Sequence, residues 1–218
     1  MKDYDGKTPS GCLDIKGWRM AGVCALVAAL LFMSPVLTNP SQLATGIRSH
    51  NSFPVILFNW WFGKAFWDIH TNPIFCPYFA HPFGTNLVMF DAFLIHIIHG
   101  AIQPATGILT ARNLFQIILL VFSTLCSFAL IKHYVQHTMA AMVGALLATY
   151  HLLTSDFLYY DNIYYFVMFG FISLTVLLWE RCVGKRRIVI AAGFSLFLTF
   201  MATSYYGIST VFLISFLC

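Results

Sequence analysis

From Ile188 to Cys218 the chain runs for 31 residues without a charged side chain or a histidine. A bilayer-spanning helix takes roughly 17–25 residues, so this run is too long for one crossing and too apolar for a water-exposed surface. "TSYYG" at 203–207 is the natural turn within it, which predicts a crossing over 187–204 and another from 208 onward. The uncharged runs 20–37, 113–131 and 162–179 also have spanning length, and 138–155 has it with one histidine, His151. Charged residues make up only 9% of the chain and hydrophobic ones 59%, whereas soluble domains carry about a quarter charged residues. The predicted class is therefore all-α, a polytopic transmembrane helix bundle in one domain. Its crossings fall near 20–37, 112–132, 137–154, 162–180, 187–204 and 208–218.

Several function classes find no support in the motifs. The six cysteines show no CxxC and no metal-ligand spacing, and three of them sit in apolar runs as small hydrophobes. There is no Walker loop, no GxGxxG after a strand, no GxSxG and no HExxH. The net charge of +4 comes from scattered basic residues that read as membrane topology, so no nucleic-acid partner is expected.

The distribution of lysine and arginine also decides where "FAHPFGTNLVMFDAFLIHIIHG" (79–100) belongs. If 86–103 crossed the membrane, seven basic residues would lie outside and five inside. If it stays on the outer face, Lys2, Lys7, Lys16, Arg19, Lys132, Arg181, Lys185, Arg186 and Arg187 are cytoplasmic, nine against Arg48, Lys64 and Arg112. The positive-inside rule favours the second arrangement, and ionisable groups at the bilayer centre are costly. The expected plan is a cytoplasmic tail (1–19), a retained first crossing and an extracytoplasmic loop over 38–111 with surface helices at 52–70 and 86–103. The remaining crossings follow over 112–218, in a plasma or inner membrane. In 52–70, Asn59, Lys64 and Asp68 can share a polar face, with Lys64 and Asp68 spaced i,i+4, while Trp60, Trp61, Phe66 and Trp67 suit the headgroup boundary. Three prolines and a glycine mark 71–86 as a turn-rich loop.

This topology gathers acid, base and ligand chemistry on the outer side. Asp68, Asp91, Asp156 and Asp161 fall there with His50, His70, His81, His96 and His99. His96, His99 and Gln103 share one helical face at i, i+3 and i+7, while Asp91 points away from it. That stripe faces either a substrate phosphate, a metal ion or an aqueous cleft, or else neighbouring helices through hydrogen bonds. In "SDFLYYDNIYY" (155–165), Asp156 and Asp161 can hold a divalent cation against a phosphate leaving group. Equally, Asp161 can cap the helix that follows.

A charged tail, one crossing, a long outer loop with two surface helices and a series of short-looped crossings resemble the GT-C type of membrane glycosyltransferase. Those enzymes use polyprenyl-phosphate-linked sugars on the outer or lumenal side. "NWWFGKAFWDIHTNPIFCPYFAHPFGTNL" is similar to their Trp-rich helix and following turn, and "AAMVGALLATYHLLTSDFLYYDN" resembles their alanine/glycine-rich helix. The likeness covers most of 17–210. It implies Mg²⁺ or Mn²⁺ on Asp156 or Asp161, Arg112 with His96 and His99 on the donor phosphate, and His50 and Asp91 as the catalytic pair. The chain departs from the pattern in having no acid between Leu37 and Asp68, so His50 stands where a carboxylate belongs. It also ends at Cys218 inside an apolar run, as a fragment or a shortened relative would. The competing expectation is a non-catalytic subunit of a larger membrane complex, with the small residues of 138–149 permitting close helix approach. Haem or pigment ligation by His96 or His99 is disfavoured, and no intramembrane charge pair points to transport.

Overall fold

The computed structural model describes residues 15–43, 52–78, 83–86, 93–150, 164–181 and 186–202. The chain is predominantly helical, as predicted. In order, the helices are α1 (Ile15–Phe32), α2 (Ser34–Leu37), α3 (Ser52–Gly63), α4 (Phe93–Thr106), α5 (Ile108–Val135), α6 (Thr138–Thr149), α7 (Tyr164–Glu180) and α8 (Arg186–Ala202). Among the described residues, α1 and α5 are long and apolar enough to cross a membrane.

The 28-residue α5 is the central strut, and the other helices meet it through small side chains. The inward face of α1 is Gly17, Ala21, Ala25 and Ala29, spaced every fourth residue along one stripe. Ala21 packs with Phe128 of α5 and Ala141, Met142 and Ala145 of α6, while Ala29 and Met33 pack on Ile117 and Leu120. Trp18 meets Phe128 edge-on at 5.2 Å, so α1 runs antiparallel to α5. The small residues of α6 thus serve contacts inside this chain. Gly170 of α7 abuts Phe122 and Ser123, the Ser127 and Ser173 hydroxyls lie 3.4 Å apart, and His133 meets Glu180 at 3.9 Å. These contacts run in the same order along both helices, making α7 parallel to α5. A 2.8 Å hydroxyl contact between Thr175 and Ser195 joins α7 to α8.

The outward faces carry the bulky apolar residues. Val23, Leu26, Val27, Leu30 and Leu31 of α1 are exposed, as are Met139, Val143 and Leu147 of α6 and Val189, Ile190, Phe194 and Phe197 of α8. Large apolar side chains thus cover the outward faces, while the inward face of α1 is small and that of α5 mixes polar groups with Phe115, Leu120 and Phe128.

The loop after α1 is tied to the start of α5. Asn113 donates from Nδ2 to the Pro40 and Leu43 carbonyls at 3.0 and 2.7 Å. The chain from 44 to 107 therefore begins and ends at the same end of the bundle. At the other end lie Lys16 and Arg19, Lys132, Arg181 and the start of α8 at Arg186.

Within that segment the expected surface helix 52–70 divides in two. α3 stops at Gly63 and the chain continues as a π-helical turn, Lys64–Asp68, closed by Ile69 N–H on the Lys64 carbonyl at 3.1 Å. The π turn hydrogen-bonds residues five apart, and among the described residues no ion pair joins Lys64 to Asp68. The Lys64 ammonium lies instead 5.1 Å from the Trp60 ring centroid. Asn59 is not on a wet polar face but buried, and the four aromatics expected at the headgroup boundary separate. Trp61 is buried, Trp60 and Phe66 are half-buried, and Trp67 is exposed. The loop 71–86 contains a short antiparallel ladder, β1 (Phe75–Cys76) with β2 (Thr85–Asn86). Gly84 turns into it at φ 72°, with the Phe75 ring filling the space a Cβ would occupy.

α3 and α4 meet backbone to backbone. A Cβ on Gly100 would lie 2.6 Å from Phe62 Cβ and 2.9 Å from Gly63 N, and neither backbone can yield without moving its helix. Trp67 bridges the same seam, donating from Nε1 to the Gly100 carbonyl at 3.2 Å. Gly100→Ala is expected to lower stability by about 1–3 kcal/mol, as overpacking does. Gly22→Ala, with nothing within 4 Å, should be neutral or stabilising by about 0.5–1 kcal/mol. Thermal unfolding of the purified variants in detergent reads the contrast.

Candidate functional site

The glycine seam brings the imidazoles of α4 under the aromatic face of α3. His96 stacks on Phe62, with centroids 6.3 Å apart and planes 16° from parallel, and leans on Phe58 at 5.3 Å. Its Nδ1 donates to Asn59 Oδ1 at 2.7 Å, which leaves Nε2 as the acceptor of a neutral ring. One turn on, His99 is 2% exposed; the Ile108 main chain is its hydrogen-bonding neighbour, but at a geometry too poor to satisfy either ring nitrogen fully. Gln103 continues the stripe with its amide across the open Cα of Gly63, and its Oε1 is buried without a partner.

α5 closes the site from the other side. It starts immediately after Gly107, whose φ of 80° lets the chain reverse out of α4. Arg112 comes one turn into α5 and is buried, with Asn113 and Gln116 beside it. Arg112 and Gln116 lie on the same side of α5 as Ser123 and Ser127, a polar stripe along the inner face of the helix.

Electrostatics ties these residues into one unit. Burial pushes the His96 pKa down to about 3, reinforced by His99 and by the Arg112 guanidinium. Burial likewise pushes His99 down to about 3, with Arg112 adding to the shift and the Ile108 main chain opposing it. Both imidazoles are therefore neutral at physiological pH, and the fixed positive charge belongs to Arg112. Such an arrangement can offer an anion one full charge together with N–H donors, in surroundings where little water competes.

Of the residues singled out in the sequence, the structure brings together His96, His99 and Arg112. His50, Asp91, Asp156 and Asp161 lie outside the described residues, so the proposed carboxylate site for Mg²⁺ or Mn²⁺ falls there too. Among the described residues, no group of three or more His, Cys, Asp or Glu side chains could hold a metal. Asn59 is a site residue that spacing along α4 could not reveal, because its partner His96 is 37 positions away. Its one signal was a lone amide in an aromatic run. Comparison with protein-family models, curated proteins and solved structures finds no match for this chain.

An imidazole titrating near 3 in the folded state and 6.5 in the unfolded one binds protons preferentially when unfolded. The fold therefore keeps the full contribution of the neutral rings above pH 6.5 and loses it progressively as pH falls toward 3. Melting temperature in detergent should drop between pH 7.5 and pH 4.5, and His96→Gln with His99→Gln should flatten that dependence. Separately, Asn59→Leu should cost about 1–3 kcal/mol at pH 7.5 by leaving the His96 donor buried and unmatched.

Proposed function

We propose that this chain is a polytopic integral membrane protein of GT-C-like design. It binds a polyprenyl-phosphate-linked sugar at the extracytoplasmic ends of its helices and transfers the sugar there. The observation that carries the reading is the meeting of Arg112 with the neutral imidazole of His99, held only by a poor contact to the Ile108 main chain, at the junction of α3, α4 and α5. A buried cation beside a weakly engaged imidazole suits a phosphate oxygen better than it suits a neutral ligand or a metal.

The membrane part of the proposal is supported by the apolar exposed faces of α1, α6 and α8 and by the spanning length of α1 and α5. The topology is supported by the gathering of Lys16, Arg19, Lys132, Arg181 and the start of α8 at the end opposite Arg112. The hydrogen bonds from Asn113 to Pro40 and Leu43 agree with an outer loop that returns to the side it left. A single crossing by α4 would break that return.

In transfer, the bond between the sugar's anomeric carbon and the phosphate oxygen breaks while an acceptor oxygen attacks the carbon. Negative charge grows on the departing lipid phosphate, where the Arg112 guanidinium and the His99 N–H stabilise it. The acceptor's proton goes to His50 or Asp91. Asp156 and Asp161 are the carboxylates a divalent cation would use.

A short-chain prenyl phosphate should raise the melting temperature of the detergent-solubilised protein, and the matching neutral prenol should not. Arg112→Gln and His99→Leu should each weaken prenyl-phosphate binding roughly 10- to 100-fold, the worth of one charge-assisted hydrogen bond. A transfer assay with a radiolabelled lipid-phosphate sugar then separates roles. Binding without transfer would assign the scaffold to a non-catalytic subunit of a larger membrane complex.

A further inference from the structure

The segment from the π-helical turn to the β1–β2 ladder exposes a concentration of aromatic surface. Phe83 is 85% exposed, Trp67 54%, Tyr78 53% and Phe75 49%, with Ile69 beside them at 47%. The exposure does not come from a loosely held loop. Trp61 Nε1 donates to the Pro73 carbonyl at 3.0 Å and Ile74 N–H to Asn72 Oδ1 at 2.9 Å. Thr71 N–H donates to the Ala65 carbonyl at 2.9 Å, and β1 pairs with β2. Phe75 lies flat on Gly84, next to Phe83, and Tyr78 packs edge-on against Trp60 and Trp61 at 5.7 and 5.6 Å. These side chains are held outward by the fold.

The orientation of Trp67 says what solvent they face. An indole standing in water gains by hydrating its N–H, but here the N–H is turned inward onto the Gly100 carbonyl. The surface Trp67 presents is thus mainly its apolar ring. Lys64 flanks the patch with a group able to meet lipid phosphates, and His70 is held beside it, donating from Nδ1 to the Phe66 carbonyl at 2.9 Å. Ile98 of α4 and Leu114 and Ile118 of α5 are exposed as well, and α4 packs on both the π turn and α5, one of the two described helices of spanning length.

We infer that the π turn and the β1–β2 ladder form a preformed membrane anchor, with Trp67, Phe75, Tyr78 and Phe83 inserted at the boundary between lipid headgroups and acyl chains. The occupant is the bilayer in which α1 and α5 stand. The inference rests on the membrane part of the proposed function and is independent of sugar transfer. Seating this segment in the interface fixes the height of α3 and α4, and with it the depth at which His99 and Arg112 open. A rigid ring surface enters such a boundary without the ordering cost a flexible loop would incur.

Tryptophan quenching in reconstituted vesicles tests it. The protein is placed in phosphatidylcholine vesicles carrying bromines either close to the headgroup or deep in the acyl chain, and the Trp67 signal is taken as wild type minus Trp67→Phe. Because Trp67 also supports the α3–α4 seam, Phe83→Trp supplies a second reporter at a position so exposed that the fold does not depend on it. The expected result is strong quenching of both signals by the shallow bromines, less by the deep ones, and little by aqueous iodide. Quenching by iodide alone would place the segment in water and overturn the inference. Protection from all three quenchers would mean that protein covers the patch, which overturns it equally. Trp18 of α1 and Trp179 of α7 serve as the internal reference. If bromolipids leave them untouched as well, the membrane reading itself has failed, and not merely the anchor.

Discussion

Close approach at small side chains is the constraint on which the rest of this structure depends. Hydrophobic contrast holds a bundle together in water, but it is weak where the outward faces are as aliphatic as Leu31, Leu147 and Phe194. Dispersion contacts and a few short polar bridges must do the work, and both require the helices to be near one another. Ala21, Ala25 and Ala29 let α1 lie against α5, Ala141 and Ala145 bring in α6, and Gly170 admits α7 over Phe122. The hydroxyls of Ser127, Ser173, Thr175 and Ser195 then meet across α5, α7 and α8 without exposing a charge.

The same device at the α3–α4 seam shapes the surroundings of two imidazoles as well as the packing. Gly63 and Gly100 allow α3 and α4 to touch through their backbones, which slides the Phe58–Phe62 face over His96 and drives water away from both imidazoles. Desolvation then keeps the rings neutral, and the nearby Arg112 reinforces that state. Asn59 satisfies one of them, while His99 is left with only a poor contact to the Ile108 main chain. A fold bears the cost of such a poorly matched buried group where it is put to use. The π turn directly after Gly63 belongs to the same arrangement, since it carries Trp67 across to the Gly100 carbonyl and clamps the seam from outside.

Much of the architecture was legible because composition and periodicity are local. Uncharged runs mark the helices of the bundle, and the basic residues mark one of its ends. Along α4 the spacing of His96, His99 and Gln103 already put them on one face. Within 52–70 the chain is helical from 52 to 68, and what differed was its expected polar face: Asn59 is buried against α4, and the helix widens to a π turn after Gly63, beside a close contact with a helix some forty residues later. No window of sequence contains both sides of that contact. For the same reason the interfacial aromatics could not be assigned one by one. Trp61 and Trp67 belong to the same aromatic run, and the positions of α4 and of Pro73 set how each ring is held.

The sequence by itself determined the helical class and marked the long apolar runs, because the absence of charge over such lengths leaves few alternatives. It also set most of the titratable groups near or beyond the ends of those runs. Tertiary structure alone decided which of those groups meet and in what protonation state. A pKa depends on the water that neighbouring elements exclude and the charges they bring near, and Asn59, His99 and Arg112 become neighbours only once three separate helices have closed on one another.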